Sequence, residues 1–186
     1  MKTKTIQLSA LLIIILLSIT DISFAQGKTI IPKRKTIQLF NGKNLSNWVF
    51  KLRNPAADPD TVFTVKDGVI HITGRPFGYM RTKAIYSDYK LHVEWRWPSV
   101  ATNSGVFIHA TQPDTIWIRT VECQLQAGNA GDLVCMNGSD MNEHIDKKNM
   151  VVKKSGASSE KPTGEWNTME VICKGNTINI YRFLYQ

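Results

Sequence analysis

The sequence predicts an all-β fold built from two stacked antiparallel sheets. Short runs of alternating apolar and polar residues recur along the chain, and Gly, Asn or Pro interrupts them about every ten residues. No segment keeps the apolar period of about 3.6 residues that a surface helix requires. Asp67-Gly68 stands between two apolar runs, where it favours the tight turn of a β-hairpin. These observations together indicate a β-sandwich.

The individual strands follow from the alternation in chain order. A first strand at 36–40 ends at the turn Asn41-Gly42, and a hairpin joins 62–65 to 69–73. At most a short helical turn, capped by Asn44 or Ser46, is expected before Trp48. Later strands are predicted at 89–97, 105–110, 116–126, 165–174 and 177–183. The remaining long stretch, 128–161, is polar and irregular, and such loops often carry function.

The N-terminus has the organisation of a secretory signal peptide over residues 1–25. A positively charged start precedes an uncharged apolar run from Leu11 to Leu17, and Ser23-Phe24-Ala25 supplies small residues for cleavage. The apolar run is shorter than the about 20 residues needed to span a bilayer. We therefore expect a periplasmic or extracellular protein without a membrane span after cleavage. A basic tail at 26–35 and one domain at 36–186 would remain.

The net charge of +8 does not indicate a nucleic-acid partner. Its excess lies in two stretches without the aromatic interleaving or helical pattern of a nucleic-acid reader. These basic residues are Lys28, Lys33, Arg34, Lys35, Lys147, Lys148, Lys153 and Lys154. We expect them to be solvated tail and loop charges.

The chain has three cysteines, Cys123, Cys135 and Cys173, which cannot all pair with one another. Buried thiols are expected, and Cys123–Cys135 is the only bridge worth checking. No spacing of a structural zinc site occurs. The late loop carries residue types that bind metals, but without a recognisable ligand spacing, so solvated charge is expected there. These residues are Asp132, Asp140, Glu143, His144 and Asp146.

Alternation also predicts which side chains share a face, because neighbouring residues of a strand point to opposite sides. Three strands would each have one apolar and one polar face. If they are neighbours in one sheet, the polar faces form a single patch of Glu94, Arg96, His109, Glu122 and Gln124. An ordinary solvent face is the simpler explanation. The presence of Phe107 and Gly105 among these ionisable residues favours a functional groove.

Several motifs in a fixed order between Leu39 and Thr177 resemble the bacterial 3-keto-disaccharide hydrolase domain family. They are Leu39-Phe40-Asn41-Gly42-Lys43-Asn44-Leu45-Ser46-Asn47-Trp48, Gly78-Tyr79-Met80-Arg81-Thr82, Tyr86-Ser87-Asp88-Tyr89, Glu94-Trp95-Arg96, Asn103-Ser104-Gly105-Val106, Glu122-Cys123-Gln124-Leu125 and Gly164-Glu165-Trp166-Asn167. The resemblance implies a concanavalin-A-like jelly-roll sandwich with a carbohydrate site on its concave sheet. It also implies cleavage of glycosides whose sugar is already oxidised at C3.

The chain departs from the family pattern in two places. The family usually has an Arg at the position of His109. A metal site with His109 and Glu122 as ligands is therefore an alternative to a site that works without a metal. The chain also ends at Gln186, where family members continue through further strands. A C-terminally truncated sandwich is therefore expected, and an inactive truncated copy is one alternative.

The chemistry of a 3-keto sugar suggests roles for the polar patch. A C3 ketone acidifies the C2 proton, and its removal lets the C1 substituent leave, after which water can add. Glu122 or His109 would act as the base, Arg96 or a divalent metal would stabilise the oxyanion, and Glu94 would serve as acid or metal ligand. No cofactor other than such a metal is expected. The substrate hydroxyls would be positioned by Gln124, Tyr79, Asn103 and Arg81.

Two other functions compete with this one. A direct glycosidase would pair Glu94 with Glu122, about 5 Å apart in a retaining enzyme and 6.5–9.5 Å apart in an inverting one. A non-catalytic module would instead bind glycans by stacking sugars on exposed aromatic residues. The candidates for that stacking are Trp48, Trp117, Tyr79 and Trp166.

Overall fold

The computed structural model describes residues 29–30 and 36–182. The predicted signal peptide, most of the basic tail and the last four residues therefore lie outside the described residues. The strands are β1 (Thr29–Ile30), β2 (Trp48–Leu52), β3 (Phe63–Lys66), β4 (Val69–Ile72), β5 (Gly78–Thr82), β6 (Ile85–Tyr86), β7 (Tyr89–Trp95), β8 (Gly105–Ile108), β9 (Thr120–Gln124), β10 (Leu133–Met136), β11 (Val151–Val152), β12 (Asn167–Lys174) and β13 (Thr177–Arg182). A short 3₁₀ turn at Pro59–Thr61 accompanies them. The predicted all-β class is confirmed.

Two antiparallel sheets form the main sandwich. One has the strand order β11-β10-β9-β8 and the other has the order β13-β12-β7. Their facing sides share one apolar core, in which Trp95 of β7 and Met169 of β12 pack in one cluster with Ile108 and Cys123 of the other sheet. Strand β12 alternates strictly between buried and less buried residues, as a strand with one face on a core must.

The earlier part of the chain forms smaller antiparallel pairs, β2 with β5 and β3 with β4, and β1 lies parallel to β6. A second apolar cluster of Leu52, Val62 and Phe63 supports them, with Met80 of β5 packed against it. Met80 therefore faces that cluster, and its neighbours Tyr79 and Arg81 face the other way.

The sequence placed some strands correctly and missed others. The hairpin is confirmed, because Asp67 and Gly68 both take positive φ, at 52° and 74°, between β3 and β4. The expected first strand at 36–40 is wrong, since these residues are irregular. Strands β2 and β5 were not predicted, and β10 and β11 lie within the segment that was expected to be irregular throughout.

The cysteines are three free buried thiols, as expected, and no Cys123–Cys135 bridge forms. Cys123 and Cys173 belong to the main core, where each sulfur acts as a small apolar group. Within the described residues, no helix has both the length and the apolar character needed to cross a membrane.

Candidate functional site

Glu122 lies at the centre of the outward face of the β11-β10-β9-β8 sheet. Its neighbours Val121 and Cys123 are buried in the core, so alternation directs the Glu122 side chain outward. The strand register places Phe107 of β8 on one side of it and Val134 of β10 on the other. The carboxylate therefore lies between two apolar cross-strand neighbours.

Gly105 provides the space that the Glu122 side chain occupies. A Cβ atom built on Gly105 would lie 1.8 Å from Glu122 Oε1 and 2.5 Å from its Cδ. The carboxylate thus rests directly on the backbone of β8, at a position where any other residue would displace it. The prediction that Gly105, Phe107 and Glu122 share one face is confirmed by this register.

Burial sets the acidity of Glu122. It raises the pKa of the carboxyl from 4.5 to about 7, because a partly desolvated carboxylate is less stable than its neutral acid. In the part of the chain that the structure describes, no hydrogen bond or ion pair to the carboxylate offsets this effect. A carboxylate with these properties suits proton abstraction near neutral pH.

Tyr79 and Arg81 of β5 meet Asp114, a residue of the loop between β8 and β9. Arg81 binds one carboxylate oxygen of Asp114 through Nε and Nη2, both at 2.7 Å, and the Tyr79 hydroxyl donates a short hydrogen bond to the other oxygen. Burial tends to raise the pKa of Asp114, but the hydrogen bonds from Arg81 and Tyr79 lower it overall. Asp114 is therefore an ionised anchor for two side chains of β5.

Contacts between rings join this cluster to Glu122. The Tyr79 ring meets Phe107 edge to face, with centroids 5.7 Å apart, and Phe107 lies directly opposite Glu122. Tyr79, Arg81, Asp114, Phe107 and Glu122 thus line one continuous surface across β5, β8 and β9. Sequence reasoning missed Asp114, although Tyr79 and Arg81 on one strand face signal that an acceptor lies nearby.

Gln124 is the last residue of β9, and Asn103 lies just before the first residue of β8. The side-chain oxygen of buried Gln124 accepts hydrogen bonds from the backbone N–H groups of Leu125 and Gln126, at 3.0 and 2.9 Å. It therefore shapes the turn that leaves β9. Asn103 is exposed in the loop just before β8.

Glu94 and Arg96 do not join this surface, which corrects the expected single patch. Strand β7 belongs to the other sheet, and its Trp95 faces the shared core, so Glu94 points outward on the far side. Glu94 is accompanied there by His92, 3.2 Å away. Arg96 lies over the Trp166 ring, 4.9 Å from its centroid.

The pairing of Glu94 with Glu122 as a two-carboxylate glycosidase is excluded for the same reason. Stacked sheets lie about 10 Å apart, and the two carboxylates leave their sheets in opposite directions. Their separation therefore exceeds both the about 5 Å and the about 6.5–9.5 Å that such pairs require.

His109 also departs from the expected patch. Strand β8 ends at Ile108, and His109 has a φ of 50°, so the alternation of the strand stops before it reaches this side chain. His109 lines a cavity of about 190 Å³ at the end of the core, beside Tyr89 and Cys173 of the other sheet. The structure does not bring His109 to Glu122, and it offers no support for a metal site shared by the two.

One group of possible metal ligands does occur in the described residues. Atoms of Cys135, Asp140 and His144 lie within 4.8 Å of one another. Both ring nitrogens of His144 contact acceptors, with Nδ1 2.8 Å from Asp140 and Nε2 2.6 Å from the Asn149 carbonyl, and Lys147 also binds Asp140 at 2.7 Å. An imidazole that donates from both nitrogens is a cation without a free lone pair. The group is a hydrogen-bonded clamp of the loop between β10 and β11.

Comparison with known proteins identifies the family of the chain. A family model described as a 3-keto-alpha-glucoside-1,2-lyase-like domain matches residues 35–182. No curated protein gives a significant match to the chain. Since the matched region covers most of the chain, the protein belongs to the 3-keto-alpha-glucoside-1,2-lyase-like family of carbohydrate-active domains.

Proposed function

We propose that the protein cleaves glycosides of 3-keto sugars by elimination, with Glu122 as the base. The observation that carries this proposal is the environment of Glu122, a carboxylate held on a glycine between apolar neighbours with its pKa raised to about 7. Membership of a 3-keto-alpha-glucoside-1,2-lyase-like family supports the substrate class.

The reaction removes one proton and breaks one bond. Glu122 takes the proton from C2, and the electron pair of that C–H bond is first delocalised onto the C3 oxygen. It then forms the double bond between C1 and C2, while the C1–O bond breaks. The leaving oxygen takes up a proton from solvent. Addition of water across the double bond would complete a net hydrolysis.

Arg81 replaces Arg96 as the positive group near the developing enolate. Arg81 lies on the same surface as Glu122, and Asp114 fixes its guanidinium through two hydrogen-bond donors. A cation held in position before the reaction stabilises an oxyanion without reorganisation at the moment of proton transfer. The Tyr79 hydroxyl, which is bound to Asp114, adds a second polar group at this point.

The test uses a 3-keto-α-glucoside and its unoxidised parent. We expect the protein to turn over the keto sugar but not its unoxidised parent. In D₂O, NMR should also show that the C2 proton of the keto sugar exchanges for deuterium. Glu122→Gln should reduce both by at least about 10²-fold, since it removes the base. Glu143→Gln, the same change at an exposed loop residue, serves as the control. Equal turnover of both sugars, or full activity of Glu122→Gln, would overturn the proposal.

Non-catalytic carbohydrate binding is the second candidate. The specific observation in its favour is an exposed aromatic pair, Phe77 and Trp117, with ring centroids 4.9 Å apart. This function would give affinity for glycosides without turnover, and Glu122→Gln would leave that affinity intact. Calorimetric titration alongside the deuterium exchange distinguishes the two functions.

A further inference from the structure

Trp117 and Phe77 form an exposed aromatic platform beside the proposed site. Trp117 is 51% exposed and Phe77 is 39% exposed, and their rings stack with an interplanar angle of 28°. One face of the indole is covered by Phe77, so the exposed half of the residue is a flat apolar surface. Large aromatic side chains left in water next to a polar cleft often mark a binding site.

The platform is held in place before any ligand binds. The carbonyl of Trp117 accepts a hydrogen bond of 2.7 Å from Asn137 Nδ2. Nearer the start of the same loop, the Tyr79 hydroxyl donates its hydrogen bond to Asp114 and lies 3.0 Å from the Thr115 carbonyl. The loop is therefore tied to β5 on one side and to the turn after β10 on the other. A ring ordered in this way loses little entropy when a ligand stacks on it.

The platform is continuous with Glu122. Arg53 donates a backbone hydrogen bond of 2.8 Å to the Phe77 carbonyl, which extends the pairing of β2 with β5 by one residue. Phe77 and Tyr79 therefore lie on the same face of β5. Tyr79 contacts Phe107, which is opposite Glu122. Phe77 thus shares a strand face with Tyr79, and the Tyr79 ring contacts the cross-strand neighbour of Glu122.

We propose that Trp117, supported by Phe77, is the subsite on which the second sugar ring of a disaccharide substrate packs as the leaving group. This inference rests on the proposed function, because the keto sugar must place its C2 against Glu122 and its C1 substituent must extend beyond it. The C–H face of a pyranose packs on an aromatic ring, while its hydroxyls need polar neighbours. Arg81 and Asp114 supply such neighbours beside the platform.

The experiment compares two substrates that differ only in the leaving group, a 3-keto disaccharide and methyl 3-keto-α-glucoside. Trp117→Ala should raise KM for the disaccharide roughly 3- to 10-fold, a typical effect of a lost aromatic contact, with kcat unchanged. Its KM for the methyl glycoside should not change. Trp117→Phe should restore most of the loss, and Trp166→Ala, which removes an exposed Trp next to the other sheet, should affect neither substrate.

Equal changes for both substrates, or no change for either, would overturn the subsite. Failure of the proposed function has a different signature, since the wild-type protein would then turn over neither substrate. In that case, calorimetric binding of the unoxidised disaccharide decides the matter. Weaker binding to Trp117→Ala than to wild type or Trp166→Ala supports the platform, and equal binding of all three contradicts it.

Discussion

Replacing Glu122 by Gln should raise the unfolding free energy of the protein at alkaline pH. The gain should equal the free energy that the wild-type protein loses by ionising a buried carboxyl. Burial raises the pKa of Glu122 from 4.5 to about 7. That difference corresponds to at most about 3.5 kcal/mol of unfolding free energy, since each tenfold change in acidity is worth about 1.4 kcal/mol, and solvent screening of the partly exposed carboxyl lowers it to about 2–3 kcal/mol. Gln keeps the shape of the side chain but carries no charge at any pH.

The sign of the effect follows from proton binding. Between pH 4.5 and about 7 the folded protein keeps a proton on Glu122 that the unfolded chain has lost. The stabilising contribution of this group is therefore present below pH 4.5 and is lost as the pH rises through about 7. From about pH 5 to about pH 8, the difference in unfolding free energy between Glu122→Gln and wild type should grow by about 2–3 kcal/mol in favour of the variant.

Urea unfolding at both pH values measures this difference, because other groups titrate equally in the two proteins. Glu143→Gln reports the effect of the same change at an exposed position. A difference between Glu122→Gln and wild type that stays constant with pH would refute the reasoning. In the active protein, kcat/KM should rise with pH around an apparent pKa of about 7, since only the ionised carboxylate accepts the C2 proton.

Three further predictions concern neighbouring parts of the structure. Gly105→Ala should reduce turnover about 10²-fold while the fold persists, because the new Cβ displaces the Glu122 carboxylate. Steady-state kinetics measures the turnover and circular dichroism measures the fold. Full activity of the variant would contradict this prediction. Asp114→Asn should lower the unfolding free energy by about 1–2 kcal/mol, as Arg81 loses its ionised partner, and an unchanged urea midpoint would argue against that anchor. The pKa of His144 is raised above 6.5 by its two hydrogen-bond acceptors, so its stabilising contribution is lost as the pH rises through that raised value. Amide hydrogen exchange in the loop between β10 and β11 should therefore accelerate with pH in the wild-type protein by more than the intrinsic exchange rate does. In His144→Gln this additional acceleration should be absent.

The sequence predicts the part of the site that regular strands carry. β8 and β9 follow one another and pair directly, so alternation alone places Phe107 and Glu122 on the same face. Alternation also describes β7 correctly, with Glu94 outward and Trp95 inward. It contains no information about which sheet a strand joins. The loop from 96 to 104 carries the chain from one sheet to the other, and the expected single patch fails there.

Other parts of the site depend on long-range contacts that a local pattern cannot reveal. His109 left the expected face because the strand ended one residue earlier and the backbone took positive φ. Asp114 lies in an irregular loop, and its partners Tyr79 and Arg81 precede it by more than thirty residues. The unpredicted β5 begins at a glycine, and its residues show no strict alternation of apolar and polar types. Tertiary pairing, and not local preference, forms that strand.

The apolar neighbours of Glu122 set the pH range in which its carboxylate can act as a base. That range can therefore be changed by substitutions at the neighbours, without replacing Glu122. No charged group contributes to its raised pKa, so added salt should leave the pH profile in place, unlike that of a site governed by an ion pair. Val134 and Phe107 flank the carboxylate in the strand register. A hydroxyl introduced by Val134→Thr would partly solvate the anion and move the active range toward acid, which gives protein engineering a means of tuning the domain to more acidic surroundings.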